Sequence, residues 1–212
     1  DSNFIIKEIH KFEHMKKSLL GREGNIISLD LDYLNFKDSF MILPESLDTL
    51  AKSIPEEALV LSKQFFGEEL HPFIRKKLPY CYSYITSMDV YNETDCPSRQ
   101  SFYDDLNEKE CSEEDYQLVL DVWKTAKCQN LGEFAAIYSK LDVLLLADIF
   151  EHFRTTLLAF NGLDCAHYYS ASGIAYDSAL KSGVKVELMS ELEDYEFVES
   201  SIVGALCGTA LR

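Results

Sequence analysis

A tyrosine and an aspartate four residues apart stand in front of an apolar run near the middle of the chain. In the stretch FAAIYSKLDVLLLADIF, residues 134–150, they are Tyr138 and Asp142. On a helix, residues four apart lie on one face. A buried carboxylate is costly unless it is compensated, and a hard divalent cation such as Mg²⁺ is one partner that stabilises it. A phenol one turn earlier could then position a metal-activated water against a phosphodiester. On spacing alone, a buried tyrosine beside an aspartate paired with a lysine or a backbone amide is the commoner arrangement.

A second aspartate of the same stretch, Asp148, has two interpretations. It could bridge metal ions, or it could pair with His152 one turn further along the helix. The pairing needs fewer assumptions, so we expect Asp148 to partner His152.

The segment IRKKLPYCYSYI, residues 74–85, interleaves basic and aromatic side chains. Cations that follow a phosphate backbone and aromatics that stack on bases are what a single-strand groove needs. Tyr80 is a candidate base-stacking residue on this interpretation. A solvated turn that leads into a strand with one tyrosine-rich face fits the segment as well.

Two elements must position these residues in the first half of the chain. Apolar residues at largely helical spacing predict a helix over residues 2–20, and the alternation of Leu29, Leu31 and Tyr33 predicts a strand or hairpin. PESLDTLAKSI, which begins at Pro44, predicts a short helix after that strand.

The second half is predicted to be mainly helical. Ser112 followed by Asp115 resembles a helix N-cap, and that helix would reach about Lys127. The stretch from Asn130 to Phe160 is the longest helical candidate, and Asn161-Gly162 should end it. The sheet and the helices together predict an α/β fold.

Composition limits the class of protein. The 212 residues are 47% hydrophobic and 12% aromatic, which supports a folded core and argues against wholesale disorder. The net charge of −16 disfavours tight binding of nucleic acid by the chain alone, because phosphate binding needs Lys and Arg. Residues 1–100 carry 12 basic and 16 acidic groups (−4), whereas residues 101–212 carry 8 and 20 (−12). The first half could therefore still hold a basic groove.

The cysteines and the start of the chain bear on location. Six cysteines without a Cys-x-x-Cys pair argue against a zinc site and favour reduced thiols inside the cell. No stretch approaches the roughly 20 apolar residues of a membrane span. DSNFIIKEIHKF has neither a signal-peptide pattern nor an initiator Met, so we expect a fragment or processed product in the nucleus or cytoplasm, not secreted.

The order of these motifs resembles the terminal-protein-primed family B DNA polymerases of large DNA transposons and related viruses (Maverick- or Polinton-like). The stretch from VWKTAKCQNLGEF to GIAYDSALK is similar to the region around that family's third exonuclease motif, Tyr-x-x-x-Asp. The resemblance implies a 3′–5′ exonuclease domain of ribonuclease-H-like fold, with a mixed sheet flanked by helices. It maps the water-orienting tyrosine onto Tyr138 and a metal ligand onto Asp142. DSNFIIKEIHKF is similar to the segment that begins at the second motif's aspartate, which makes Asp1 the other metal ligand.

The resemblance also implies DNA contacts. LPESLDTLAKSI is similar to the family's Ser/Thr-Leu-x-x-hydrophobic motif, which contacts the 3′ end of single-stranded DNA through Ser46 and Leu47. An N-cap serine and a core leucine explain those two residues equally well. Lys77 lies near the family's basic residue beside the exonuclease site. SSIVGALCG resembles the linker toward the polymerase domain, with Gly204 in a key place.

This chain departs from the family pattern at three positions. Val203 stands where the family usually has an arginine, which puts the linker's DNA contact in doubt. Ser172 occupies a usual proline position and Tyr176 a usual tryptophan position. These substitutions fit a fast-diverging or decaying element copy.

These inferences predict part of a protein-primed DNA polymerase. Residues 1–160 would be a partial exonuclease domain that uses Mg²⁺ or Mn²⁺, and residues 161–212 a connecting segment toward the polymerase palm. The first exonuclease motif would lie upstream, so we expect the 212 residues alone to be inactive. The partners would be DNA, deoxynucleotides through the palm and a terminal protein, with no membrane. The alternatives are a stand-alone nuclease of the same fold and a non-catalytic acidic interaction module.

Overall fold

The computed structural model describes residues 2–12, 14–22 and 25–202. Within them, one small sheet precedes a series of helices. The strands are β1 (Lys17–Arg22), β2 (Asn25–Leu31) and β3 (Leu34–Lys37). The helices are α1 (Ser2–Glu8), α2 (Leu47–Ser53), α3 (Val60–Phe65), α4 (Glu113–Thr125), α5 (Leu131–Asn161), α6 (Ala171–Lys181) and α7 (Leu192–Ser201). Short 3₁₀ turns make up much of the connection between α3 and α4. An α/β chain with a mainly helical second half is confirmed.

The sheet corrects two details of the prediction. The helix over residues 2–20 is wrong beyond its first half, because Leu19 pairs with Leu29 and Leu20 with Ser28 in the β1–β2 ladder. The sheet of the described residues is antiparallel with the order β1-β2-β3, not mixed. Two residues separate β1 from β2 and two separate β2 from β3, and connections of that length permit only antiparallel pairing.

Local sequence explains the turn between β2 and β3, the start of α4 and the end of α5. Asp32 adopts a left-handed φ of 51° in the two-residue turn between β2 and β3, a conformation that Asp tolerates in tight hairpins. Ser112 caps α4 by accepting a hydrogen bond from the Asp115 amide, as predicted. The predicted stop of α5 is also correct, since Gly162 has a φ of 68° and its amide bonds to the Leu158 carbonyl.

The larger core lies where α4 and α5 pack together with α2 and the 3₁₀ turns. Val119 and Val122 of α4 and Leu131 and Phe134 of α5 are fully buried in it. This packing holds the middle of α5 against α2 and α3, which fixes the position of Tyr138 and Asp142. No helix of the described residues is long and apolar enough to span a bilayer.

Candidate active site

A cavity of about 240 Å³ opens where three segments meet. Helix α2 contributes Leu47 and Asp48, the segment before Tyr80 contributes Lys77, and α5 contributes Tyr138 and Asp142. Apolar side chains of the core form part of its wall. The cavity therefore combines an apolar wall with two carboxylates, a phenol and the cations of Lys76 and Lys77.

Asp142 is half-buried on the wall of this cavity. Its burial raises the pKa of the carboxyl above the usual value. The Tyr138 hydroxyl and the Lys77 charge act in the opposite direction, but burial outweighs both. The protein thus compensates the Asp142 charge only in part, so a cation in the cavity would lower the cost that is left.

Tyr138 is held by two other tyrosines. Its ring stacks on Tyr80, with 4.4 Å between the centroids and an interplanar angle of 22°. Its hydroxyl is 2.8 Å from the hydroxyl of Tyr82, close enough for a hydrogen bond. Burial, followed by the bond to Tyr82 and the charge of Asp142, raises the pKa of Tyr138. The phenol therefore stays protonated, and its one hydrogen can be donated at the cavity when Tyr82 is the donor of the bond between the two hydroxyls.

The model of one protein family, described as DNA polymerase type B, organellar and viral, matches residues 1–210 of the chain. The chain belongs to this family. Membership of this family supports a function in DNA-directed DNA polymerisation during replication, with DNA as the partner. Polymerases of this family generally use divalent metal ions. No curated protein and no solved structure matches the chain.

The structure brings together most of the residues that the sequence predicts for the polymerase's exonuclease site. Leu47, Lys77, Tyr138 and Asp142 line one cavity, and Tyr80 stacks on Tyr138. Asp1 and Gly204 lie outside the described residues.

Ser46 lies beside the cavity wall and has a structural task there. Its hydroxyl caps α2 by accepting a hydrogen bond from the Thr49 amide at 3.2 Å. It also lies 2.9 Å from the Thr49 hydroxyl. The N-cap interpretation of Ser46 is therefore correct, and its contact with DNA stays a prediction.

Asp148 is neither a metal-bridging residue nor the partner of His152. Its two carboxylate oxygens accept hydrogen bonds from the backbone amides of Leu61 at 2.8 Å and Ser62 at 2.9 Å. Those amides belong to the first turn of α3, where N–H groups have no partner within the helix. The predicted pairing with His152 is wrong because a helix end 86 residues earlier in the chain takes both oxygens.

Arg75 likewise serves the fold. Its guanidinium donates to the backbone carbonyls of Ala51, Lys52 and Ile54 at the end of α2, at 3.1, 3.2 and 2.7 Å. Of the three consecutive basic residues, Arg75 thus secures α2, whereas Lys76 and Lys77 line the cavity.

Two residues of the site escaped prediction from the sequence. Tyr82 stood only within an aromatic segment, and its contact with Tyr138 joins positions 56 residues apart. Asp48 follows Leu47 directly and brings a second carboxylate to the cavity, although Lys52 binds it at 2.6 Å. The alternation of Tyr80, Tyr82 and Tyr84 was the sequence signal for Tyr82. For Asp48, the signal was its place directly after Leu47, a predicted DNA contact.

The oxygen ligands suit a hard divalent cation in kind. Asp142 and Asp48 both face the cavity, and carboxylate oxygens are what Mg²⁺ and Mn²⁺ bind. In the part of the chain that the structure describes, no cluster of three or more His, Cys, Asp or Glu side chains forms a metal site. A pair of metal ions would need further carboxylates besides these two.

Proposed function

We propose that the cavity is the 3′–5′ exonuclease site of a family B DNA polymerase and removes nucleotides from a DNA 3′ end by hydrolysis. The observation that carries the proposal is the meeting of Tyr138, Asp142, Lys77 and Leu47, from three separate segments, in one cavity. The family membership of the chain supports it independently.

Each residue has a distinct task in this reaction. Tyr138 donates a hydrogen bond that orients the attacking water, and its stacking on Tyr80 and bond to Tyr82 fix the direction of its hydroxyl. Lys77 attracts the phosphate of the terminal nucleotide, and the apolar wall around Leu47 accepts its base or sugar. Ser46 lies at the start of α2, directly before Leu47, and its hydroxyl contacts the DNA strand.

Asp142, together with Asp1, is the residue that would hold Mg²⁺ or Mn²⁺. A bound divalent cation supplies positive charge to the attacking and leaving oxygens of the phosphodiester. The raised pKa of Asp142 supports this role, since a carboxylate with an uncompensated burial cost gains most from a cation. Two ions need more carboxylates than Asp1, Asp142 and Asp48, so the 212 residues alone should degrade DNA poorly.

The wider assignment follows the sequence resemblance. Residues 1–160 belong to a ribonuclease-H-like exonuclease domain, and residues 161–212 connect it to the polymerase palm, with Gly204 contacting DNA. The parent is a protein-primed polymerase of a transposon or virus that works inside the cell with a terminal protein and deoxynucleotides. The motif order from DSNFIIKEIHKF to SSIVGALCG supports this origin.

The test is removal of 3′ nucleotides from a single-stranded oligonucleotide by the full-length polymerase, with Mg²⁺ or Mn²⁺ and without deoxynucleotides. Asp142→Asn should lower the rate constant at least 100-fold, because the charge that holds the cation is lost while the side-chain shape is kept. Tyr138→Phe should lower it about 10- to 100-fold, because the water loses its donor. Deoxynucleotide incorporation by the same variants should stay near the wild-type rate.

Matched control variants change the same residue types outside the cavity lining. Asp121→Asn changes an exposed carboxylate of α4. Tyr84 lies in the same 3₁₀ turn as Tyr82, and Tyr84→Phe removes a hydroxyl that donates a hydrogen bond to Glu93. Both should leave the removal rate within about twofold of wild type. Nucleotide removal at the wild-type rate by Asp142→Asn would refute the proposed function.

A further inference from the structure

Two neighbouring lysines, Lys76 and Lys77, line the candidate cavity, and both side chains are exposed. They follow Arg75, whose guanidinium is bound to backbone carbonyls at the end of α2. The Lys76 amide donates to the Phe73 carbonyl at 3.0 Å, and the turn that this bond closes leads both lysines to the same cavity. The exonuclease reaction gives a task to Lys77 alone, so Lys76 is a second cation of the lining whose task is open.

The other charged groups of the lining act on charges of the protein itself. Lys52 pairs with Asp48 at 2.6 Å. Burial raises the pKa of Asp142, and the charge of Lys77 opposes that shift. Among the residues that the structure describes, Lys76 forms no ion pair. Its charge can therefore be given to an anionic ligand without breaking a contact of the fold.

The ring of Phe73 supports the ammonium group of Lys76 at the cavity. The Lys76 Nζ lies 5.9 Å from the ring centroid, within the range over which an aromatic face attracts a cation. Phe73 itself packs against the larger core, so the ring has a fixed position. A lysine that already rests on a fixed ring loses less conformational freedom when it binds a ligand.

The spacing of the two lysines matches the spacing of successive phosphates. The Cα atoms of neighbouring residues are about 3.8 Å apart. The phosphates of one DNA strand recur roughly every 3.4 Å along the helix axis. Lys77 is the lysine whose charge acts on Asp142, so it lies closer to the proposed metal ligand and to the phosphate that is cleaved. The next phosphate of the strand then falls to Lys76.

We propose that Lys76 is a phosphate-binding residue of the exonuclease site and binds the phosphodiester between the second and third nucleotides from the 3′ end. Lys77 neutralises the scissile phosphodiester, between the first and second nucleotides. The site consequently prefers strands of three or more nucleotides, because a dinucleotide has no second phosphodiester for Lys76. This inference rests on the proposed exonuclease function.

The test uses the full-length polymerase with Mg²⁺, without deoxynucleotides, on single-stranded oligonucleotides that carry one neutral methylphosphonate in place of a phosphodiester. The kcat/KM for removal of the first 3′ nucleotide is measured with the methylphosphonate at the second linkage from the 3′ end, at a linkage far upstream, and with the unmodified strand. On the unmodified strand, Lys76→Gln should lower kcat/KM about threefold to tenfold, because a charge-assisted contact is lost.

The modified strands show which phosphate Lys76 binds. The methylphosphonate at the second linkage should lower the wild-type kcat/KM by a factor similar to that of Lys76→Gln. It should lower the kcat/KM of Lys76→Gln by less than about twofold, because that contact is already absent. The upstream methylphosphonate should leave both proteins within about twofold of their values on the unmodified strand.

Binding of the unmodified strand without divalent cations gives a second measurement. Each phosphate contact of a single strand contributes about 0.7 to the slope of log Kd against log salt concentration, so the slope should be smaller by about 0.7 in Lys76→Gln. Lys76→Arg keeps the charge and should stay near wild type in both measurements. Lys124→Gln removes an exposed lysine of α4 outside the cavity lining and should change neither the slope nor the response to the second linkage.

The possible outcomes separate the two proposals. An unchanged kcat/KM in Lys76→Gln would overturn the role of Lys76 while Asp142→Asn still abolishes nucleotide removal. Equal losses from the second-linkage methylphosphonate in wild type and Lys76→Gln, or the same response in Lys124→Gln, would overturn it as well. Nucleotide removal at the wild-type rate by Asp142→Asn would overturn the exonuclease assignment and this inference with it.

Discussion

Two aspartates six residues apart on helix α5 differ in how far the fold compensates the charge of their carboxylates. Asp148 is 2% exposed, and its carboxylate accepts two backbone hydrogen bonds at the start of α3. Asp142 is half-buried at a cavity, and burial raises its pKa despite Tyr138 and Lys77. The more deeply buried carboxylate is the better satisfied one.

The difference shows that burial by itself does not mark a functional acid. Asp148 ties α5 to α3, and the fold supplies donors to both of its oxygens. Asp142 keeps part of its desolvation cost, and such a perturbed group in a cleft is a candidate for function. The contrast should therefore appear in experiments as stability at one position and activity at the other.

The largest effect on stability is expected for Asp148→Ala. It leaves the amides of Leu61 and Ser62 in α3 without their acceptor, so the free energy of unfolding should fall by about 2–4 kcal/mol. Urea unfolding followed by circular dichroism measures the loss, with Asp121→Ala on the exposed face of α4 as the control. A loss below about 0.5 kcal/mol would remove the distinction between the two aspartates.

A third carboxylate extends the comparison from amide donors to a charged donor. Asp164 receives two hydrogen bonds from Arg154 of α5, at 2.8 and 2.7 Å, and these bonds chiefly lower its pKa to about 2. Because the pKa is lower in the folded state than the unfolded value near 4, the stabilisation is present above about pH 4 and is lost as pH falls toward 2. Between pH 5 and pH 2, the urea midpoint of wild type should therefore fall more steeply than that of Asp164→Asn. Parallel curves for the two proteins would contradict this.

Ser62 tests the opposite case, a polar group that the fold buries without a partner. Its amide binds Asp148, but its hydroxyl is fully buried and has no hydrogen-bond partner among the residues that the structure describes. Ser62→Ala should therefore raise the free energy of unfolding by about 1 kcal/mol. Ser53→Ala is the matched control, because the exposed Ser53 hydroxyl donates to the Leu50 carbonyl at 2.8 Å and its removal should bring no gain. A loss of stability in Ser62→Ala would show that the hydroxyl is satisfied after all.

The features that the sequence could predict depend on contacts between residues that are close together in the chain. The cap at Ser112, the end of α5 at Gly162 and the shared face of Tyr138 and Asp142 depend on residues a few positions apart, and all were readable. The strand β1 was missed because its residues had helical spacing and only pairing with β2 decided their conformation.

The same rule holds for the residues of the candidate site. Contacts between distant positions carry no local pattern, so the bonds of Asp148 to α3, of Arg75 to the end of α2 and of Tyr82 to Tyr138 could not be foreseen. The sequence identified Tyr138, Asp142 and Lys77 as chemical groups of the candidate site, whereas the fold added Tyr82 and Asp48 to them.

The smallest change in the free energy of unfolding is expected for Asp142→Asn, and this variant decides the comparison between Asp142 and Asp148. Asp142→Asn keeps the size of the side chain and removes a charge that burial disfavours in the folded state, as its raised pKa indicates. At pH 7 without divalent cations, the free energy of unfolding should therefore stay within about 0.5 kcal/mol of wild type or rise slightly, measured in urea as for Asp148→Ala. Adding Mg²⁺ should stabilise wild type more than the variant, because only the carboxylate can bind the ion. A loss above about 1 kcal/mol would mean that the fold depends on Asp142 as it does on Asp148, and that the cavity carboxylate is structural.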